Sequence, residues 1–375
     1  MFARFLQSEA AGGIVLMASA ALALVVANSG LAPAYFHALE THIGPLETVE
    51  WINDALMALF FLLVGMEIKG EVLAGELATW RQRIGPGAAA LGGMIAPALI
   101  YVALARSHPE ALRGWAIPTA TDIAFALGVL SLVGRRAPAS LTVFLTALAI
   151  IDDLGAVVVI ALFYTQKIDL PMLAGAFAAL GVLFALNRGG VRRLWPYLLI
   201  GLPLWYFTFR SGVHATLAGV ALAAAIPMGE GFDKLEHALS PRVDYIVLPL
   251  FAFANAGVSF AGVTGAQLLG PVALGVALGL FFGKQAGVFL TVRLMAALRW
   301  AEKPAGADWL HVYAMSLLCG VGFTMSLFVG LLAFKGQGEL IAQVKLGVLA
   351  GSVASALSGL GMLALRSAPV DSSSR

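Results

Sequence analysis

Four ionisable side chains lie within otherwise apolar stretches of this 375-residue chain: Asp122, Asp152, Asp153 and Lys284. A charge at the centre of a bilayer costs roughly 3 kcal/mol on insertion scales, so such residues need a compensating role. An ion pair absorbs Lys284 with one aspartate and leaves two carboxylates over. An ion or proton pathway accounts for all four. Asp152 and Asp153 are adjacent, about 100° apart on a helix, and cannot share one face. One can face an ion cavity while the other turns toward Lys284. Coupled carboxylates titrate as a unit, and binding a proton or a small cation in competition is what exchange requires. Hard oxygen ligands suit a hard cation such as Na⁺. Asp122 follows Pro118 and Thr121. There it either caps a kinked helix or neutralises the positive ends of broken helices, and the two roles are compatible.

The rest of the chain must hold these groups in lipid. Hydrophobic residues make up 60% and charged residues 12%, against roughly 45–50% and 25% in soluble domains. Mean hydropathy is +0.90. A soluble globule of this composition could not cover its own surface, so the chain reads as a polytopic all-α membrane protein. The net charge of +2 has no basic block behind it, which leaves no footprint for nucleic acid. The single Cys319 excludes an internal disulfide or a thiolate metal cage. The apolar run 11–27 has the look of a signal peptide, but among so many later spans it reads as an uncleaved first crossing.

Apolar runs broken by charge, Pro and Gly mark twelve spans, near 11–28, 54–67, 84–105, 115–134, 140–165, 170–186, 194–209, 213–227, 245–260, 271–292, 310–334 and 341–365. With the N-terminus inside, sixteen Lys/Arg fall in cytoplasmic segments and six outside, which places both termini in the cytoplasm. Connections are short. Residues 1–366 thus form one transmembrane domain, and the polar tail 367–375 is expected to be disordered. Span 4 is interrupted at Pro118 to Asp122 and span 11 at Gly320 to Gly322. These are the middle members of the triplets 3–5 and 10–12. Paired interruptions at corresponding positions point to a repeat-built transporter with its site between them.

Several segments carry a resemblance. ATDIAFALG (Ala120–Gly128), AIIDDLGA (Ala149–Ala156), SGVHATLAGV (Ser211–Val220), LPLFAFANAGV (Leu248–Val258) and CGVGFTMS (Cys319–Ser326) resemble the NhaA-type sodium/proton antiporters of bacterial inner membranes. WINDALMALFFLLVGMEIKGE (Trp51–Glu71) and FGKQAG (Phe282–Gly287) fit as well, and the match runs from about residue 8 to 365. The resemblance implies twelve helices in inverted repeats, with interrupted spans 4 and 11 crossing. It implies a secondary transporter rather than an enzyme, without a cofactor, exporting Na⁺ or Li⁺ in exchange for protons. Asp152 and Asp153 match the family's ion- and proton-carrying pair, and Thr121 a position near the cation. Asp122 and Lys284 match residues that offset helix ends, Lys284 also pairing with Asp152. Two carboxylates take up at most two protons against one cation, so exchange is electrogenic. Glu67, Glu71, Lys234, Glu236 and His237 match a cytoplasmic pH-sensing region, and His214 a histidine linked to the pH profile.

The chain also departs from the family. Gly70 stands where Arg is frequent, and Ser240 where a His can stand. The loop Gly30–Asn53 is short, which puts a hairpin-mediated homodimer in doubt and leaves one formed by helix packing. Two other classes compete. An intramembrane aspartyl protease needs carboxylates on two helices and a GxGD motif, which is absent. A sodium-coupled symporter of an organic solute needs a polar pocket, for which Asn255, Thr324 and Ser326 are the available residues.

Overall fold

A computed structural model describes residues 9–75, 79–165, 168–260 and 265–365. The tail expected to be disordered lies outside the described residues. Each of the twelve apolar runs carries helix. Among the described residues, Gln82–Ala105, Ala139–Phe163, Leu170–Arg188, Pro271–Ala297 and Gly338–Ala364 are long and apolar enough to cross a bilayer unbroken. Spans 4 and 11 are broken pairs, Ala111–Thr119 with Ile123–Leu132 and Trp309–Leu318 with Phe323–Ala333, each bent by 42°. The protein is an all-α polytopic membrane protein.

By its contacts the chain divides into two compact units, residues 1–17, 76–156 and 258–375 in one and 18–75 and 157–257 in the other. In the first unit, span 3 (Trp80–Ala105) starts in a capping box. Thr79 Oγ1 accepts from Gln82 N at 3.4 Å, and Gln82 Oε1 accepts from Thr79 N at 3.1 Å. Spans 3 and 10 approach backbone to backbone: a Cβ at Gly92 would stand 2.6 Å from the Gly287 carbonyl oxygen. Without water or an apolar driving force between helices, such small-residue seams are how membrane helices associate. Span 10 is not a plain helix. Pro271–Leu278 passes through a wide π turn, Gly279–Gly283, into Lys284–Ala297.

In the second unit, spans 2 and 8 pack in the same way. A Cβ at Gly219 would lie 2.7 Å from the Leu62 amide nitrogen. Leu62, Met66, Leu183, Tyr197, Leu222 and Phe232 share one buried cluster. The short segment Gly30–Asn53 contains a helix, Ala32–Glu40, and a two-stranded hairpin pairing His42 with Glu47 and Ile43 with Leu46. The hairpin turns at Gly44, whose φ of +69° suits a residue without Cβ. Length alone did not reveal these elements, because a hairpin needs only a few residues.

Candidate functional site

The two broken spans meet at their breaks. Pro118 removes a helix hydrogen bond, and Ala120 (ψ 147°) and Asp122 (ψ 99°) are extended before the helix resumes at Ile123. In span 11 the interruption covers Cys319 to Gly322. Across the gap, Asp122 N donates to the Val321 carbonyl at 2.7 Å, and Thr121 Oγ1 donates to the Cys319 carbonyl at 2.9 Å. Unwound backbone deep in the protein must find partners, and here each break serves the other.

Asp122 is the centre of this arrangement. Its Oδ1 accepts from Phe125 N at 2.9 Å, capping its own helix. Its Oδ2 accepts from Thr324 N at 2.9 Å and from Thr324 Oγ1 at 2.6 Å, at the start of the second half of span 11. That half begins at Gly322, which has no side chain to cap with. One carboxylate therefore faces two helix N-termini, each with a partial positive charge. Ser352 of span 12 completes the set, its Oγ accepting from Gly322 N at 3.2 Å. Ser326 Oγ donates to the Ile117 carbonyl at 2.7 Å.

Lys284 and Asp152 form an ion pair at 2.6 Å, both side chains fully buried. Asp152 Oδ1 carries no hydrogen bond among the described residues. Asp153, the next residue along the span 5 helix, is 2% exposed. Cys319, at the span 11 break, lies within electrostatic reach of both Lys284 and Asp152. The ion pair and the crossing thus belong to one buried site, which brings together Thr121, Asp122, Asp152 and Lys284. It holds a carboxylate with one oxygen on an ammonium and the other without a hydrogen bond among the described residues.

Glycine and proline set the position of Lys284. A Cβ at Gly283 would stand 2.8 Å from the Pro97 nitrogen, and one at Gly279 2.8 Å from Pro118 Cβ. The π turn is wedged against span 3 and the span 4 break, and Lys284 follows it directly. Sequence reading singled out Pro118 but not this contact. The available signal was the glycine spacing Gly279, Gly283, Gly287 around a lysine.

The residues matched to pH sensing separate into groups within the second unit. Glu67 has Asp244, Glu236 and Glu71 within electrostatic reach. Burial raises the Glu236 carboxyl above its usual range; Asp233 and Glu71 add to the shift and His237 opposes it. Asp244 belongs to this acidic group and was not anticipated. Lys234 instead pairs with Glu230 at 2.5 Å on an exposed helix face, and His237 Nδ1 lies 2.8 Å from the Asp233 carbonyl of its own helix. His214 precedes Leu217–Ala225, while Lys69 reaches the opposite end of that helix, donating to the Ala224 and Ile226 carbonyls at 2.8 and 2.5 Å. The structure does not bring His214 to the acidic group. Asn255, Thr324 and Ser326 are engaged within the protein: Asn255 Nδ2 donates to Asn53 Oδ1 at 2.7 Å, and the other two bridge the breaks.

Residues 3–363 match the family described as Na+/H+ antiporter 1. The chain is 59% identical to Na(+)/H(+) antiporter NhaA 2 of Pseudomonas syringae pv. tomato over 370 residues, covering 97% of this chain and 95% of the relative. It is 57% identical to Na(+)/H(+) antiporter NhaA of Rhizobium etli (96% and 95% covered) and 58% identical to Na(+)/H(+) antiporter NhaA of Paramagnetospirillum magneticum (96% and 95%).

Proposed function

Since the chain belongs to the Na+/H+ antiporter 1 family, we propose that it exports Na⁺, and Li⁺, in exchange for protons by competition at Asp152 and Asp153. The observation that carries this reading is the buried 2.6 Å pair of Lys284 with Asp152, whose other oxygen has no hydrogen bond among the described residues. An ammonium and a Na⁺ are alternative monovalent cations for the same carboxylate. A cation arriving from the cytoplasm displaces Lys284 from Asp152 and takes further oxygens from Asp153 and the Thr121 region. When it leaves outside, protons and the Lys284 pair restore the site. Two protons inward against one Na⁺ outward moves one net charge. A membrane potential then drives export at about 2.3 kcal/mol per charge per 100 mV.

The unit that holds spans 3–5 and 10–12 is the transport core in this reading, and the other unit its scaffold. Asp122 neutralises the N-terminal ends at the crossing, and Lys284 the C-terminal ones, while the cation moves. The pH response belongs to Glu67, Glu71 and Glu236, whose mutual repulsion makes their charge state sensitive to protons. Lys234, His237 and His214 contribute through local contacts. In this reading the protein is a secondary transporter of the bacterial inner membrane with both termini cytoplasmic.

The test exchanges Asp152 or Asp153 for Asn and measures sodium-driven pH change in vesicles containing the full chain. Either variant is expected to lose exchange by at least about a hundredfold, since an amide neither binds protons near neutrality nor offers a full charge. Undiminished exchange overturns the assignment.

A further inference from the structure

The first unit contains a second site with a different chemistry. A cavity of about 850 Å³ opens between the starts of spans 3 and 5 and the turn that ends span 10. Its wall combines two opposite charges, Arg299 and Glu302, with the apolar surface of Pro86, Val143, Phe144 and Ala147. Neither charged side chain has an ion pair or hydrogen bond among the described residues, although both line the same cavity. Opposite charges that share a cavity without meeting are complementary to a ligand carrying both.

Arg299 is held in an unusual way. After the Lys284–Ala297 helix, Trp300 N donates to the Met295 carbonyl at 3.0 Å and Arg299 N to the Ala296 carbonyl at 3.1 Å. This is a Schellman ending, in which the residue at the Arg299 position adopts left-handed backbone and is most often Gly. Arg299 has a φ of 58° and, among the described residues, is the one non-glycine with positive φ. A long charged side chain thus stands where local conformation favours none. Trp300 beside it is 63% exposed, and Trp80 at the start of span 3 is 75% exposed. Exposed tryptophans at helix ends mark the level of lipid headgroups.

We propose that this cavity holds the headgroup of a phosphatidylethanolamine-type lipid, its phosphate at Arg299 and its primary ammonium at Glu302. An acyl chain lies along Val143, Phe144 and Ala147. Guanidinium suits phosphate geometry, and the ammonium offers three donors to a carboxylate. Choline lacks those donors and glycerol lacks the charge. The inference rests on the membrane fold and not on the transported ion.

The test is native mass spectrometry of the full chain in detergent, titrated with phosphatidylethanolamine, phosphatidylcholine or phosphatidylglycerol of matched chains. Phosphatidylethanolamine is expected to bind about tenfold tighter than the other two. Arg299→Gly, which suits the backbone, and Glu302→Gln should each weaken it about tenfold, and Arg299→Lys by less, since its ammonium keeps the charge without the fork. Soluble phosphoethanolamine should bind far more weakly than the lipid. The proposal is overturned by equal binding of the three lipids, by unchanged affinity in Arg299→Gly and Glu302→Gln, or by soluble headgroup binding as tightly as lipid. Thermal melting of each variant without lipid separates loss of the site from loss of the fold.

Discussion

The two units each hold a polar cluster within an apolar chain, and the clusters follow opposite rules. In the first unit's buried cluster opposite charges are matched: Lys284 meets Asp152, and Asp122 meets two helix ends. In the second, Glu67, Glu71, Glu236 and Asp244 face one another with like charge. Lys69, the nearest base in sequence, is turned away to cap the Leu217–Ala225 helix. Fully buried charge is tolerable only when paired and hydrogen-bonded. A group of acids is tolerable where protons and water can relieve it. The first arrangement fixes geometry, and the second responds to pH.

Breaking a matched pair should cost most. Lys284→Ala leaves Asp152 buried without its counter-ion, an expected loss of about 3–5 kcal/mol. Adding Asp152→Asn should return part of that loss. Thermal melting of the purified single and double variants decides; a single variant as stable as the parent would show that the pair does not hold the site together.

Asp122→Ala removes one carboxylate from two helix starts. Two caps at about 1 kcal/mol each give an expected loss of about 2 kcal/mol. Asp122→Asn, which still accepts hydrogen bonds, should lose less. Equal losses in both variants would mean that charge, and not capping, is what the crossing needs.

Glu236→Gln probes the other rule and should have the smallest effect on stability. Burial raises the folded-state value of Glu236 above its usual 4.5. The folded protein therefore holds this proton more tightly than the unfolded chain, and the stabilisation is present in full below that ordinary value. It fades as pH rises through the raised value. The parent should lose stability relative to Glu236→Gln over that range, as measured by melting across pH. A constant difference at all pH values would remove Glu236 from the acidic group.

Much of the fold was legible because hydropathy reports burial in lipid directly. Asp122, Asp152, Asp153 and Lys284 stood out because charge is scarce in such runs, and Pro118 and the glycines at 320 and 322 marked the breaks. What escaped was partnership. Nothing local in the sequence says that Asp122 also caps the second half of span 11, that Ser352 serves Gly322, or that Gly283 rests on Pro97. These contacts join residues far apart in the chain. The Ala32–Glu40 helix and its hairpin escaped for another reason: short polar elements carry little hydropathic signal. Lys234 read as a member of the sensing region, yet its partner is a neighbouring glutamate, Glu230, on an exposed helix face.

The Asp152–Lys284 pair has a consequence for biosynthesis. The partners are 132 residues apart, and Thr324 follows Asp122 by 202. At roughly 5–20 residues per second, a ribosome delivers Lys284 some 7–26 seconds after Asp152. During that interval the nascent chain carries its acids into the membrane ahead of the groups that will neutralise them. Insertion machinery or lipid headgroups must shelter them until span 10 arrives. Substitutions that delay span 10 would then lower the yield of inserted protein, even where the finished molecule is sound.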